Sequence, residues 1–314
     1  MECFTINEND SGQRIDKFIL KVFPALPKSM MYKMIRKKDI RINGKRCEIS
    51  SRLSYGDNVS VYIHEKFAAP KKECEDFLDA PADIDIVYED DNILIINKPA
   101  GLTVHCDNDH HSDTVINRVK HYLFLKGTYD PASENSFAPA LCSRLDKNTC
   151  GLLIAEKNAS ALREVNKCIR DGYIIKIYHC IVSGTIQRHE AILTAYHFKQ
   201  SADNIVKISS EPLEGYKPIK TGYKLIRSTP PLSLLEVRLF TGRTHQIRAH
   251  LASIGLPILG DGKYGSSSIN KKYNRFYQSL CAYSLQFKFE GESDMSYLNG
   301  RTFTAPLPEF ENLV

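Results

Sequence analysis

Apolar and polar positions near the N-terminus fall into two helical runs followed by short alternating strands. Ile15, Phe18, Ile19 and Val22 recur at helical spacing, and Pro24 and Pro27 end that run. Ser29 is placed to cap a second helix whose apolar side is Met30, Met31, Met34 and Ile35. Ile40-Arg41-Ile42 alternates as a strand and enters Asn43-Gly44, a hairpin signal, and a further strand follows at Val59 to Ile63. After His64 the period is lost, and Pro, Ala and charged residues mix without order. Strands then dominate: 84–88 and 93–97 flank an acidic turn, and others are expected at 174–182, 190–197, 204–209, 217–227, 233–240 and 280–289. Helices are expected at 114–125, at 160–170 with Leu162, Val165 and Ile169 inward, from Thr244 to about Ile254, and near 270–278. This pattern predicts the α+β class. A small α/β unit spans 1–65, a linker 66–83, and a body on one mixed, mainly antiparallel sheet 84–314. The linker is expected to let the two units move relative to one another.

Charge sharpens the division. Residues 12–63 hold twelve Lys or Arg against four acids, a net of +8 in a chain whose total is +5, so the rest is net acidic. A small basic unit on a near-neutral body is the footprint of a polyanion-binding module. The nine cysteines include no Cys-x-x-Cys pair, which argues for reduced thiols in a cytoplasmic protein and against zinc or a disulfide frame. No apolar run is long enough to span a membrane, and the first residues lack the pattern of a secretory signal.

One stretch carries chemistry in compact form. Ser143-Arg144-Leu145-Asp146-Lys147-Asn148-Thr149-Cys150-Gly151 sets the charged pair Arg144 and Asp146 ahead of the apolar run Leu152 to Ala155. Asn148 and Gly151 are turn formers, so Asp146 is expected in a loop at the mouth of a packed strand. Taken alone, the same pattern describes a solvated acid in a strand connection. Metal sites find no support. His110-His111 and His179-Cys180 are adjacent pairs whose side chains diverge on an extended chain. His245 and His250, five apart, project roughly 140° from each other on a helix. Gly260-Asp261-Gly262-Lys263 lacks the spacing of a nucleotide loop and reads as a turn near the ligand.

Residues 12–63 resemble the alpha-L RNA-binding domain of the S-four type, in which two helices lie on structured RNA and hold its phosphates. Its candidate contacts here are Arg14, Lys17, Lys33, Arg36, Lys37, Lys38, Arg41 and Lys45. Where that family often has a Gly before the strand, this chain has Lys37-Lys38-Asp39. Four stretches of the body, taken in order, resemble the RluA-type family of pseudouridine synthases: YEDDNILIINKPAGLTVH (88–105), SRLDKNTCGLLIAEKN (143–158), KIYHCIVSG (176–184) and VRLFTGRTHQIRAHLASIGLPILGDGKYG (237–265).

The resemblance implies an isomerase acting on uridine within RNA, most readily large-subunit ribosomal RNA or a ribosome assembly intermediate, with no metal and no organic cofactor. It implies Asp146 as the catalytic carboxylate, Arg248 as its pairing cation and Tyr178 stacked on the flipped uracil. Leu280 then lies against the base, and Arg144 helps to open the RNA. A flipped base and an ionised carboxylate need that company, because burial alone would raise the acid's pKa. The chain is expected to act as a monomer without a membrane partner. Ser143 stands where the family usually has His, Cys150 where it often has Ser, and Cys281 where His is common. These departures leave the subgroup and the target uridine open. Other readings are a non-catalytic RNA-binding or ribosome-assembly factor, a synthase acting on transfer RNA, and a glycosidase-like hydrolase. The last would need a second carboxylate facing Asp146.

Overall fold

The computed structural model describes residues 1–68, 77–105, 112–200 and 205–314. The N-terminal unit runs β1 (Glu2–Thr5), α1 (Ile15–Val22), α2 (Lys28–Lys37), β2 (Ile40–Ile42), β3 (Lys45–Arg46) and β4 (Asn58–Val61), with sheet order β1-β4-β2-β3. Ile15, Phe18 and Ile19 of α1 and Met31, Met34 and Ile35 of α2 are buried with Val59 and Val61 in one core. The helix α2 starts at Lys28, after an extended Pro27, so Ser29 lies inside it and does not cap it. Lys38 ends the helix in the left-handed region at φ 66, the conformation for which a glycine would be the easy choice.

The body continues with β5 (Ile86–Glu89), β6 (Ile93–Lys98), α3 (Val115–Leu125), β7 (Ala140–Leu141), β8 (Cys150–Glu156), α4 (Ala159–Arg170) and β9 (Ile174–Ser183). Then come β10 (Glu190–Gln200), β11 (Ile205–Ser209), β12 (Lys217–Thr229), β13 (Leu232–Leu239), α5 (Gln246–Ser253), α6 (Ser267–Lys272), β14 (Leu280–Phe287) and β15 (Thr302–Thr304). Among the described residues the sheet order is β11-β10-β12-β13-β9-β14-β8-β6-β5, with β7 on β8 and β15 on β14. Every pairing is antiparallel except β14 with β8, where Cys281 faces Cys150 and Ala282 faces Gly151. Alternation along β6 and β8 sends Leu94, Ile96, Leu153 and Ala155 to one face and Ile93, Ile95, Leu152 and Ile154 to the other. The first face is covered by α3 and α5, and the second by α4 and the segment from Met295 to Phe310. Each large side chain buried this way contributes about 1.5–3 kcal/mol.

Four expectations are corrected. The stretch 66–83 is not a free linker over its described part. Phe77 and Ala80 are buried, and the Phe77 ring meets Phe124 of α3 edge-on at 5.8 Å. One apolar side chain in a polar stretch was enough to dock it, while residues 69–76 lie outside the described residues. The units are also tied directly. Buried Asp10 accepts from Asn135 Nδ2 (2.7 Å) and Ser136 Oγ, and Asn9 Oδ1 accepts from Ala159 N (2.9 Å) at the start of α4. The late helix lies at Ser267–Lys272 and not near 270–278, because Asn274 turns left-handed (φ 50) and the chain from Arg275 to Tyr277 crosses Gly260. The inward side of α4 is Ala161, Val165 and Cys168, with Leu162 and Ile169 half-buried. Finally, α5 begins at Gln246, after a left-handed His245 (φ 51). Residue 204 and His110-His111 lie outside the described residues.

Candidate active site

Asp146 sits in the loop between β7 and β8, where three features of the sequence fix the backbone. Thr149 N donates back to Asp146 O at 3.0 Å, closing a turn, and buried Thr149 is held by Gln278 Nε2 at 3.1 Å. Lys98, at the end of β6, is buried, and its Nζ donates to the carbonyls of Pro99 (2.7 Å), Leu102 (2.8 Å) and Lys147 (2.8 Å). Three acceptors use all three ammonium hydrogens. Burial pulls the Lys98 pKa down to about 8, with Cys150 and Asp146 opposing. Gly151 enters β8 at φ 106, and a Cβ there would lie 2.3 Å from Ala282 O. Only glycine allows β8 and β14 to approach this closely.

The cation comes from far along the chain, on the helix that covers the same face of the sheet. Arg248 on α5 donates Nη1 to Asp146 Oδ2 at 2.6 Å, with the Arg side chain 7% and the Asp side chain 27% exposed. Its other edge is taken by Asp261, which accepts Nε at 2.7 Å and Nη2 at 2.9 Å. Asp261 Oδ1 also accepts from Lys263 N (2.8 Å) and Tyr264 N (3.1 Å), so a tight turn anchors it. Burial would raise the Asp261 pKa, and the Arg248 contact more than reverses this, holding it below its ordinary value. Burial likewise disfavours charged Arg248, but the two carboxylates outweigh it and keep the guanidinium protonated.

Tyr178 on β9 and Leu280 at the start of β14 are buried in the same apolar cluster as Leu145 and Ile247, the neighbours in sequence of Asp146 and Arg248. Burial, then the charges of Asp146 and Cys281, push the Tyr178 phenol well above its ordinary value, so in the free protein it is a neutral hydroxyl. Arg144 is exposed beside His105, whose imidazole is held low by burial and by the nearby Arg144 and Lys120 cations. Arg248 and Asp146 are therefore in direct contact, and Tyr178 and Leu280 belong to the apolar cluster that also holds Leu145 and Ile247.

Sequence reading missed three parts. Asp261 was taken for a turn residue only. Gln246, buried, ties the loop before α5 to β12: its Oε1 accepts from Thr241 Oγ1 (3.0 Å) and Arg243 N (3.1 Å), and its Nε2 donates to Thr221 Oγ1 (3.0 Å). His245 was weighed only as a metal ligand beside His250. The two face different partners, Tyr264 Oη at 2.9 Å and Thr221 Oγ1 at 3.0 Å. The polar residues packed into 241–250 were the available signal. The two departures at Cys150 and Cys281 face each other across the β8–β14 seam.

On the N-terminal unit Lys17, Lys33, Arg36, Lys37, Lys38 and Lys45 are exposed. Arg14 is exposed too but already engages Asp16 with Nε and Nη2, each at 3.0 Å. Arg41 is half-buried, donating to Lys38 O at 3.0 Å and lying over the Tyr62 ring.

Residues 92–253 match the family model described as RNA pseudouridylate synthase, and residues 13–59 match the S4 domain. The chain is 31% identical to the ribosomal large subunit pseudouridine synthase C of Haemophilus ducreyi, over 98% of this chain and 92% of that protein. The protein of the same name from Escherichia coli is 32% identical over 94% of this chain and 91% of its own length. Among solved structures, human RNA pseudouridylate synthase domain containing 4 aligns with a TM-score of 0.56 at 23% identity, over 72% of this chain and 89% of that one.

Proposed function

The chain belongs to the RNA pseudouridylate synthase family and carries an S4 domain, and from that premise we propose that Asp146 isomerises a uridine of large-subunit ribosomal RNA. The overall reaction breaks the bond from N1 of uracil to the anomeric carbon, turns the base and joins its C5 to that carbon. The C5 proton is lost to solvent and N1 gains one. The observation that carries the assignment of Asp146 is its pairing with Arg248, itself clamped by Asp261.

Each neighbour has a role in this reading. Arg248 pairs with the carboxylate and fixes its direction through a charge-assisted bond. The anion either attacks the electron-poor anomeric carbon or removes the neighbouring sugar proton. Tyr178 offers a ring to stack on the extruded base and a neutral hydroxyl to its polar edge. Leu280 lies against the base, and Arg144 reaches into the RNA from the rim. Arg14, Lys17, Lys33, Arg36, Lys37, Lys38, Arg41 and Lys45 grip phosphates of the surrounding RNA. The protein works as a monomer in the cytoplasm and uses no cofactor. A hydrolase would need a second free carboxylate opposite Asp146, and Asp261 is committed on both oxygens to Arg248.

The test is tritium release from carbon-5-labelled uridine in ribosomal transcripts by wild type and Asp146→Ala. Release by wild type only, with RNA binding kept by the variant, is the expected result. An active Asp146→Ala would overturn the role of Asp146. Release from transfer RNA and not from ribosomal transcripts would overturn the substrate.

A further inference from the structure

His245 touches the reacting carboxylate from the side that Arg248 leaves open. Its Nε2 lies 3.9 Å from Asp146 Oδ1, and its side chain is 7% exposed. Its Nδ1 lies 2.9 Å from Tyr264 Oη. Burial drops its pKa to about 4, with Asp146 opposing and Arg248 and Lys263 adding, so the ring is neutral at working pH and carries one N–H.

Tyr264 decides which nitrogen holds that proton. Its oxygen already accepts from Val206 N at 2.9 Å, at the edge strand β11. Among the described residues its remaining partner is His245. With the Tyr264 hydroxyl hydrogen donated to Nδ1, the ring proton sits on Nε2, on the side of the Asp146 carboxylate, whose negative charge favours an N–H over a lone pair facing it.

We propose that His245 is a positioning residue for Asp146, its Nε2–H aimed at Oδ1 by a chain of donors running from Val206 N–H through Tyr264 O–H. This inference rests on the reading of Asp146 as the catalytic carboxylate. The two carboxylate oxygens then have different duties. Oδ2 is bound by Arg248 at 2.6 Å, whereas Oδ1 faces a neutral donor at 3.9 Å, too far for a hydrogen bond in the free protein. Oδ1 therefore keeps its lone pairs for the sugar, while the dipole of a neutral N–H 3.9 Å away biases its orientation without adding a second positive charge. The left-handed backbone at His245 (φ 51) is what turns the ring back over the loop, a conformation that costs about 1–3 kcal/mol for a residue with a side chain.

Nitrogen-15 NMR of histidine-labelled full-length protein reads the tautomer directly. A pyrrole-type Nε2 and a pyridine-type Nδ1 at His245, with that distinction lost in Tyr264→Phe, is the expected result. His245→Asn, which tolerates the left-handed backbone but falls short of Asp146, should lower kcat roughly 10- to 100-fold with KM within about twofold. His245→Gln, which restores an N–H at similar reach, should recover part of the loss. A proton on Nδ1, or wild-type kcat in His245→Asn, overturns the proposal. The NMR result stands apart from catalysis, so an active Asp146→Ala would remove the reading of Asp146 without touching the tautomer assignment.

Discussion

Asp261 holds Arg248 by both ends of one edge, Nε at 2.7 Å and Nη2 at 2.9 Å, and so leaves Nη1 as the free corner that meets Asp146. The orientation of the Asp146–Arg248 pair is thus set by a second carboxylate, Asp261. Asp261→Asn should lower kcat about 10- to 100-fold, a barrier increase of about 1.4–2.7 kcal/mol, with little change in RNA affinity. It should also destabilise the fold by about 3 kcal/mol, because one partner of a buried pair is lost. Single-turnover kinetics and urea unfolding of the same variant check both halves. Unchanged kcat would show that Asp146 alone orients Arg248.

Gly151 gives a second prediction, about packing. Its φ of 106 and the 2.3 Å separation from Ala282 O to an added Cβ leave no room for a side chain. Gly151→Ala should cost roughly 3 kcal/mol or more and lower the thermal midpoint by about 6–12 °C. Gly242→Ala is the control, since a Cβ there meets nothing within 4 Å and should leave the midpoint near that of wild type.

Glu156 predicts a pH dependence of stability. It is fully buried on β8, and among the described residues neither of its oxygens finds a hydrogen-bond partner. Burial, opposed by nearby Cys142 and Lys176, pushes its pKa from the usual 4.5 up to about 8. The folded chain thus keeps a proton that the unfolded chain releases. This contribution to stability is complete below about pH 4.5, falls as the pH rises through the window to about 8, and is flat above it. The slope is at most about 1.4 kcal/mol per pH unit. Glu156→Gln should erase it, and denaturant unfolding of both proteins from pH 5 to 8 checks the result. Parallel pH profiles would rule out a protonated Glu156.

The N-terminal unit predicts a salt dependence. Arg36, Lys37 and Lys38 are exposed at the end of α2. Replacing all three with Gln should weaken binding to structured RNA and flatten the plot of log affinity against log salt by about 2–3. Filter binding at several salt concentrations checks it, and an unchanged slope would place the RNA elsewhere.

Much of this architecture was legible in sequence, and the reasons are specific. Ile15, Phe18 and Ile19 announced α1 because a helix buries one stripe, and Ile93 to Ile96 announced β6 because a strand covered on both faces is apolar throughout. Asp146, Arg248, Tyr178 and Leu280 were proposed from motifs, not from periodicity. The rest was hidden where a residue's role depends on a distant partner. Nothing local marks Asp261 as a clamp, since it meets Arg248 only through the turn after α5, or His245 as a neighbour of Asp146, about a hundred positions earlier. The helix expected near 270–278 lies earlier, at Ser267–Lys272, and Phe276 and Tyr277 beyond it are exposed.

The place of β14 in the sheet also sets a schedule. It lies between β9 and β8 and joins the part of the sheet that leads to Arg248 to the part that leads to Asp146. Those two residues stand 102 positions apart, yet the strand that unites them is made after both. A growing chain that has reached Ser279 holds every charged group of the site and has no frame on which to assemble them. Competence to modify RNA therefore arrives late in synthesis, when residues 280–287 slot into a gap between two half-sheets.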